Sequence, residues 1–241
     1  MVYLEKSQPA PTCLAVEKAK ASGDYKCGDV LERLDEDFRG KCYLCEYKGP
    51  TTINVEHFVP HKGDRDLKFD WNNLFLACGH CNNIKRDGYE GILNCTDEND
   101  RVDADLEYRF DPFPALRIEI RLVVDNARTR MTRDLLLAVY NGTTKLKELE
   151  AANLRDALGD EMEHFYELLT RYGKTDEDAE KEVLTEEIKE HLDSASGFTA
   201  FKRWTFKRWA IGDGSKFGLR LATPGNPGPV PITPGNRGEA Q

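Results

Sequence analysis

Two C-x-x-C pairs, Cys42–Cys45 and Cys78–Cys81, constrain the fold of this chain more than any other feature. A two-residue gap lets both thiolates of a knuckle converge on one tetrahedral ion. Two knuckles about thirty residues apart have the form of a four-cysteine Zn2+ site. Such a site clips together a segment too short to build a core of its own. Four thiolates leave no open position for water, so the expected zinc is structural. The plain alternative is four unrelated cysteines packed as small hydrophobes. Two pairs of equal spacing, with Gly79 inside one knuckle, argue against it. Cys13, Cys27 and Cys95 look isolated, and the total of seven is odd. With no secretory segment at the N-terminus, a disulfide framework is not expected and a cytoplasmic location is.

Apolar periodicity divides the rest. Residues 1–40 read as an N-terminal helical segment closed by Gly40. Residues 41–60 read as two short strands around a Gly-Pro turn, followed by a charged loop over 61–70. WNNLFLACGHCNNIKRD reads as an apolar stretch, a knuckle and the start of a helix. Residues 94–111 read as a polar acidic loop and 118–124 as a strand. From Thr129 to Tyr172 the pattern is helical with a break at Asn141-Gly142. An acidic helix is expected over 175–193 and a basic aromatic one over 198–210. The expected organisation is a helical segment at 1–40, a zinc-clamped core at 41–95, a mainly helical region at 96–222 and a tail at 223–241. That tail holds five prolines and four glycines and reads as disordered. The fold class is therefore α+β: a small zinc-clamped core embedded in a mostly α-helical domain.

The net charge of −9 argues against nonspecific binding of a polyanion. It hides an asymmetry, since residues 148–193 carry net −11, residues 112–147 net +4 and residues 194–241 net +5. This suits either a polyanion on one face or a basic helix docked on an acidic one. The FKRWTFKRW stretch at 201–209 mixes cations with aromatics, as nucleic-acid grips do. A five-residue step advances about 140° around a helix, so its two units do not share a face. Burial of its aromatics, with the charges paired to the acidic helix, is the simpler account. Arg117, Arg121, Arg128, Arg130 and Arg133 are a second candidate path for phosphates.

Polar residues lie between and just after the knuckles: Glu56-His57, Pro60, Trp71-Asn72-Asn73-Leu74, and Asn82, Asn83, Lys85 and Arg86. The pattern C-x-x-C … E-H-x-x-P … W-N-N-L-x-L-A-C-x-x-C-N-x-x-K, over roughly residues 41–88, resembles the HNH endonucleases, the ββα-metal or His-Me finger fold. One position departs: the third family residue, often histidine, is Asn82, whose amide oxygen is still able to ligate a hard cation.

The resemblance implies a metal-dependent endonuclease hydrolysing phosphodiester bonds of DNA. His57 would be the general base. One Mg2+ or Mn2+ at the scissile phosphate would be held by Glu56 and Asn82. Asn73 would hold the His57 loop, with Asn72 as its alternative. Lys85 and Arg86 would contact phosphates. Adjacent residues of a regular strand point to opposite faces, so Glu56 and His57 share a site only if the strand ends at them; otherwise Glu56 is not the ligand. His61 reads as surface, and His80 as a knuckle residue that four cysteines leave without a zinc role. The helical segments downstream are similar to a narrower group, the HNH nuclease component of retron and Septu anti-phage systems. That group implies an ABC-type ATPase subunit as partner, alongside a DNA substrate and no membrane. Two other classes fit the cysteines alone: a zinc-knuckle module that binds nucleic acid or protein without catalysis, and an assembly subunit.

Overall fold

The computed structural model describes residues 1–111 and 117–213. The chain enters as an extended segment and forms α1 (Thr12–Ala19) and α2 (Gly28–Asp37). On α2, Val30 and Leu34 stand one turn apart and are buried with Phe38 just beyond. A disulfide joins Cys13 to Cys27 across the loop between these helices. This corrects the reading of both as isolated thiols. No motif relates them, and only the turn between α1 and α2 brings them together.

The region of the knuckles is a strand–strand–helix unit. β1 (Ile53–His57) pairs antiparallel with β2 (Leu74–Cys78), and α4 (Gly79–Lys85) follows β2 directly. The register runs from Ile53 opposite Cys78 to His57 opposite Leu74. The expected hairpin within 41–60 is thus replaced by a longer-range pairing. The first knuckle makes only a bridge between Lys41 and Lys48. The loop between β1 and β2 carries the short helix α3 (Arg65–Lys68) and a single 3-10 turn, Trp71–Asn73. Asp64 caps α3 through the amides of Asp66 and Leu67. β2 is buried along its whole length, which explains its unbroken apolar run.

A second antiparallel ribbon joins β3 (Leu106–Asp111) to β4 (Arg117–Leu122). β3 corrects the reading of 94–111 as a loop throughout. Leu106, Tyr108 and Phe110 alternate inward with Glu107 and Arg109, a period-two signal hidden by the acidic residues before it. β4 packs on α5 (Ala127–Asn141) and β3 on α8 (Thr199–Asp213). α6 (Lys145–Lys174) buries Leu154, Leu158, Phe165 and Leu169 against the same core, and α7 (Asp178–Leu192) lies along it. The break between α5 and α6 falls at Gly142, with φ +77°, where a Cβ would meet Glu148 N at 2.5 Å.

α8 buries Phe201, Trp204 and Phe206. Three of its four cations pair inward, Lys202 with Glu161, Arg203 with Asp103 and Arg208 with Glu107, while exposed Lys207 stands over the Trp204 ring. The partners come from α6 and from the 103–107 segment, not from the acidic helix α7. Helices and two small antiparallel sheets make the chain α+β. Among the described residues no helix is long and apolar enough to cross a membrane. The 223–241 tail lies outside the described residues.

Candidate functional site

The four knuckle cysteines converge. The Sγ atoms of Cys42, Cys45, Cys78 and Cys81 all lie within 4.8 Å of one another, and all four residues are buried. Cys45 Sγ and Cys78 Sγ are 3.9 Å apart. Tetrahedral zinc with bonds of about 2.3 Å needs sulfurs about 3.8 Å apart, so the donor set fits this ion in chemistry and in size. Electrostatics favour a thiolate here as well. The thiols of Cys42, Cys45 and Cys81 donate toward Cys78 and hold its pKa far below the ordinary value. Burial pushes Cys45 and Cys81 up, so without a cation the nest accommodates little negative charge. Gly79 is required in the second knuckle, because a Cβ there would sit 2.9 Å from Thr52 Cγ2. His80 is turned away from the sulfurs: its Nε2 donates to the Val139 carbonyl at 2.8 Å and its Nδ1 meets Glu150 at 2.7 Å.

The clamp holds the β1–β2 pair at its Ile53–Cys78 end, and His57 sits half-buried at the other end, opposite Leu74. Its Nε2 lies 3.0 Å from the Lys68 carbonyl oxygen. A carbonyl only accepts, so Nε2 carries the proton and Nδ1 keeps the lone pair. The imidazole lies edge-on to Tyr25, with ring centres 4.5 Å apart, and 4.7 Å from the ring of His61. Burial lowers its pKa below the ordinary 6.5. The bond to Lys68 opposes that, and the neighbouring His61, Lys68 and Lys26 add to the lowering. Asn73 is buried and ties the loop together. Its Oδ1 accepts from Val59 N at 2.7 Å, and its Nδ2 donates to Val59 O and Leu67 O at 2.9 and 3.0 Å. It therefore brackets the strand end and the helix that supplies Lys68, without touching the imidazole. Asn72 is exposed and accepts from Gln8.

Glu56 and Lys85 do not join His57. β1 runs through both Glu56 and His57, so the strand's alternation sends Glu56 inward, the outcome that removes it as a surface ligand. Its carboxylate lies 2.7 Å from Lys85 Nζ, with Glu56 only 6% exposed and Lys85 fully buried. Lys85 also donates to the carbonyls of His57 and Phe58. It is a strut under the strand end, which corrects its reading as a phosphate contact. Arg86, one residue on, is exposed. Asn82 is half-buried on α4, and its amide makes no hydrogen bond to a described residue. The pair expected to hold Mg2+ or Mn2+ is therefore split, with Asn82 left as an oxygen donor and Glu56 engaged elsewhere. As placed, these two residues do not fit a shared hard cation.

The buried pair has a measurable consequence. Burial pushes the Glu56 carboxyl up to about 7, against the opposing pull of Lys85. The folded state then binds this proton more tightly than the unfolded chain. The group's contribution to stability falls as pH rises from the ordinary carboxyl range through 7. Lys85→Met should cost about 3–5 kcal/mol at pH 8, where it strands a buried carboxylate, and less at pH 5, where Glu56 takes up a proton. Melting curves at the two pH values check this; equal melts of variant and wild type would place Lys85 outside the strut role.

Four of the five arginines proposed as a phosphate path are neutralised locally; the side chain of Arg117 lies outside the described residues. Arg121 pairs with Glu119, Arg128 with Asp100, Arg130 with Asp125 and Arg133 with Asp134. The residues that sequence reasoning missed are Tyr25, Lys26 and Lys68. Tyr25 lies some thirty residues upstream of His57, and no spacing rule links a loop tyrosine to a strand-end histidine.

A clamped strand–strand–helix unit with a half-buried histidine at its strand end defines the class. Residues 42–88 match the family model for HNH endonuclease. The chain is also similar to the Septu protein PtuB of Bacillus mycoides (strain KBAB4), with 34% identity over 89 residues. That match covers 29% of this chain and 29% of the relative.

Proposed function

We propose that this chain is an endonuclease that hydrolyses phosphodiester bonds of DNA, with His57 as general base. We further propose that it acts in the cytoplasm as the effector of an anti-phage system, beside an ABC-type ATPase subunit resembling PtuA. The observation that carries the reading is the 3.0 Å contact between His57 Nε2 and the Lys68 carbonyl oxygen, which fixes the tautomer of the neutral ring. With Nε2–H held by the Lys68 carbonyl, Nδ1 is the accepting atom. Nδ1 takes a proton from water as the water oxygen bonds to phosphorus. The bond from phosphorus to the leaving oxygen breaks, that oxygen takes a proton from solvent, and the imidazolium returns its proton to solvent. Asn73 positions this histidine by holding both segments that flank it. The ATPase reading draws on the similarity to PtuB and on charge. A net charge of −9 suits a nuclease delivered to its polyanion better than one that finds it alone.

The test incubates the full chain with plasmid DNA and with RNA, in Mg2+, Mn2+ or EDTA, with and without a co-expressed ABC-type ATPase. The expected result is DNA cleavage that rises with the ATPase, with the EDTA arm reporting whether a divalent cation takes part. Cleavage confined to RNA would overturn the substrate. Binding without cleavage under every condition would leave a zinc-knuckle binding module instead.

A further inference from the structure

Several lysines and arginines among the described residues make no ion pair, Lys6, Lys48, Arg65 and Lys207 as well as Lys26 and Lys68, so position decides which of them serves an anion. Lys26 and Lys68 both lie beside His57. Their ammonium groups stand over the ring of Tyr25, at 5.4 and 5.8 Å from its centre, and that ring abuts the imidazole. Lys68 Nζ also donates to the Gly23 carbonyl at 3.2 Å. An aromatic face and a carbonyl hold an ammonium in place without neutralising it. The nearest acid on the same loop, Asp24, accepts from the backbone N–H of Lys26 at 2.9 Å rather than from its side chain.

The loop that brings Tyr25 and Lys26 here is pinned at several points. Gly23 packs so closely on α1 that a Cβ would lie 1.8 Å from the Glu17 carbonyl oxygen. Arg65 of α3 donates to the carbonyls of Lys18, Lys20 and Ala21 at the end of α1. The Cys13–Cys27 disulfide closes the loop one residue after Lys26. Two uncancelled cations on an ordered loop, in a chain of net charge −9, form a local attraction for an anion next to the accepting nitrogen.

We propose that Lys26 and Lys68, gathered on Tyr25 beside His57, receive backbone phosphates of the nucleic-acid strand being cut, the role that the resemblance implies for Lys85 and Arg86. The proposal rests on the nuclease reading above for its substrate class. Lys26 is exposed and reaches solvent freely; Lys68 is half-buried and ties the phosphate site to the segment whose carbonyl orients His57. Both act on the substrate backbone as charges, with no part in proton transfer.

The test measures binding of a labelled DNA duplex to the full chain by fluorescence anisotropy in EDTA across a salt series, together with cleavage in Mg2+ or Mn2+ and melting temperature. The variants are Lys26→Ala, Lys68→Ala, Lys26→Arg, Lys68→Arg and His57→Ala. Each alanine variant should weaken binding and reduce the slope of log affinity against log salt by about one. Each should raise KM more than it lowers kcat, and the arginine variants should restore the slope. His57→Ala should bind with the wild-type slope and fail to cleave. Alanine variants with wild-type affinity and slope, beside an inactive His57→Ala, would overturn the phosphate site and leave the nuclease standing. Reduced slopes beside a fully active His57→Ala would overturn the nuclease assignment of His57 and leave the site. A wild type that binds no DNA would overturn both. If Lys68→Ala melts early, exposed Lys26→Ala decides alone.

Discussion

Cys42→Ser or Cys78→Ser should unfold the unit that presents His57, not merely weaken it. A structural zinc site contributes about 10–16 kcal/mol of apparent binding free energy. A whole domain is stable by about 5–15 kcal/mol. Loss of one thiolate from a four-sulfur set therefore removes a share comparable to the total. The local architecture has little to replace it. β1 and β2 are five residues each and α4 is seven, and their connection depends on sulfurs brought within 4.8 Å. The damage should spread, because the clamp is tied to the helical region through the Tyr140 hydroxyl on the Cys45 carbonyl and through His80. Elemental analysis should find about one zinc per wild-type chain and little in the variants. The variants should be insoluble or lack a cooperative melt, and a strong chelator should lower the wild-type melting temperature. Soluble variants without zinc and with an unchanged melt would refute the clamp.

What was legible in the sequence was what local rules encode. The knuckle spacing predicted the cluster because two residues between cysteines set the geometry almost alone. Apolar periodicity found the long helices, since α6 repeats its buried positions over thirty residues. Errors arose where distant segments decide. β1 was paired with the wrong partner because a Gly-Pro turn lay nearby, whereas β2 arrives after an excursion through α3. β3 was hidden behind acidic residues. The fate of Glu56 was posed correctly as a question of where the strand ends, but the answer depended on Lys85, which arrives from α4. Cys13, Cys27, Tyr25 and Lys26 carry no motif, and only the packing of the α1–α2 loop on α3 brings Tyr25 and Lys26 to His57. Charge was the most misleading guide. The arginine-rich stretch looks like a nucleic-acid grip, yet four of its arginines pair with carboxylates, and the FKRW stretch buries its aromatics as its simpler reading expects, while Lys26 and Lys68 beside His57 carry no motif.

His57→Ala should lower DNA cleavage by about 10²–10⁴-fold, the usual worth of a positioned general base, with no loss of zinc and little change in melting. The residue is half-buried at the end of β1, and its ring contacts are with Tyr25, His61 and the Lys68 carbonyl; none of these is a strut of the core. The pH dependence follows from the direction of its titration. Catalysis needs neutral imidazole, and burial, with the neighbouring His61, Lys68 and Lys26, lowers the pKa below 6.5. Cleavage should therefore hold as pH falls through 6.5 and decline only below it. The same shift means that the folded state binds this proton less tightly than the unfolded chain. Its contribution to stability is accordingly present above 6.5 and lost as pH falls through the lowered value. Removing one positive neighbour, as in Lys26→Ala, should move the acid limb of the rate profile upward toward 6.5 at saturating DNA. The measurement is kcat against pH from 4.5 to 8 for wild type, His57→Ala and Lys26→Ala. An acid limb above 6.5 in the wild type, or one retained in whatever activity His57→Ala keeps, would show that another group takes the proton.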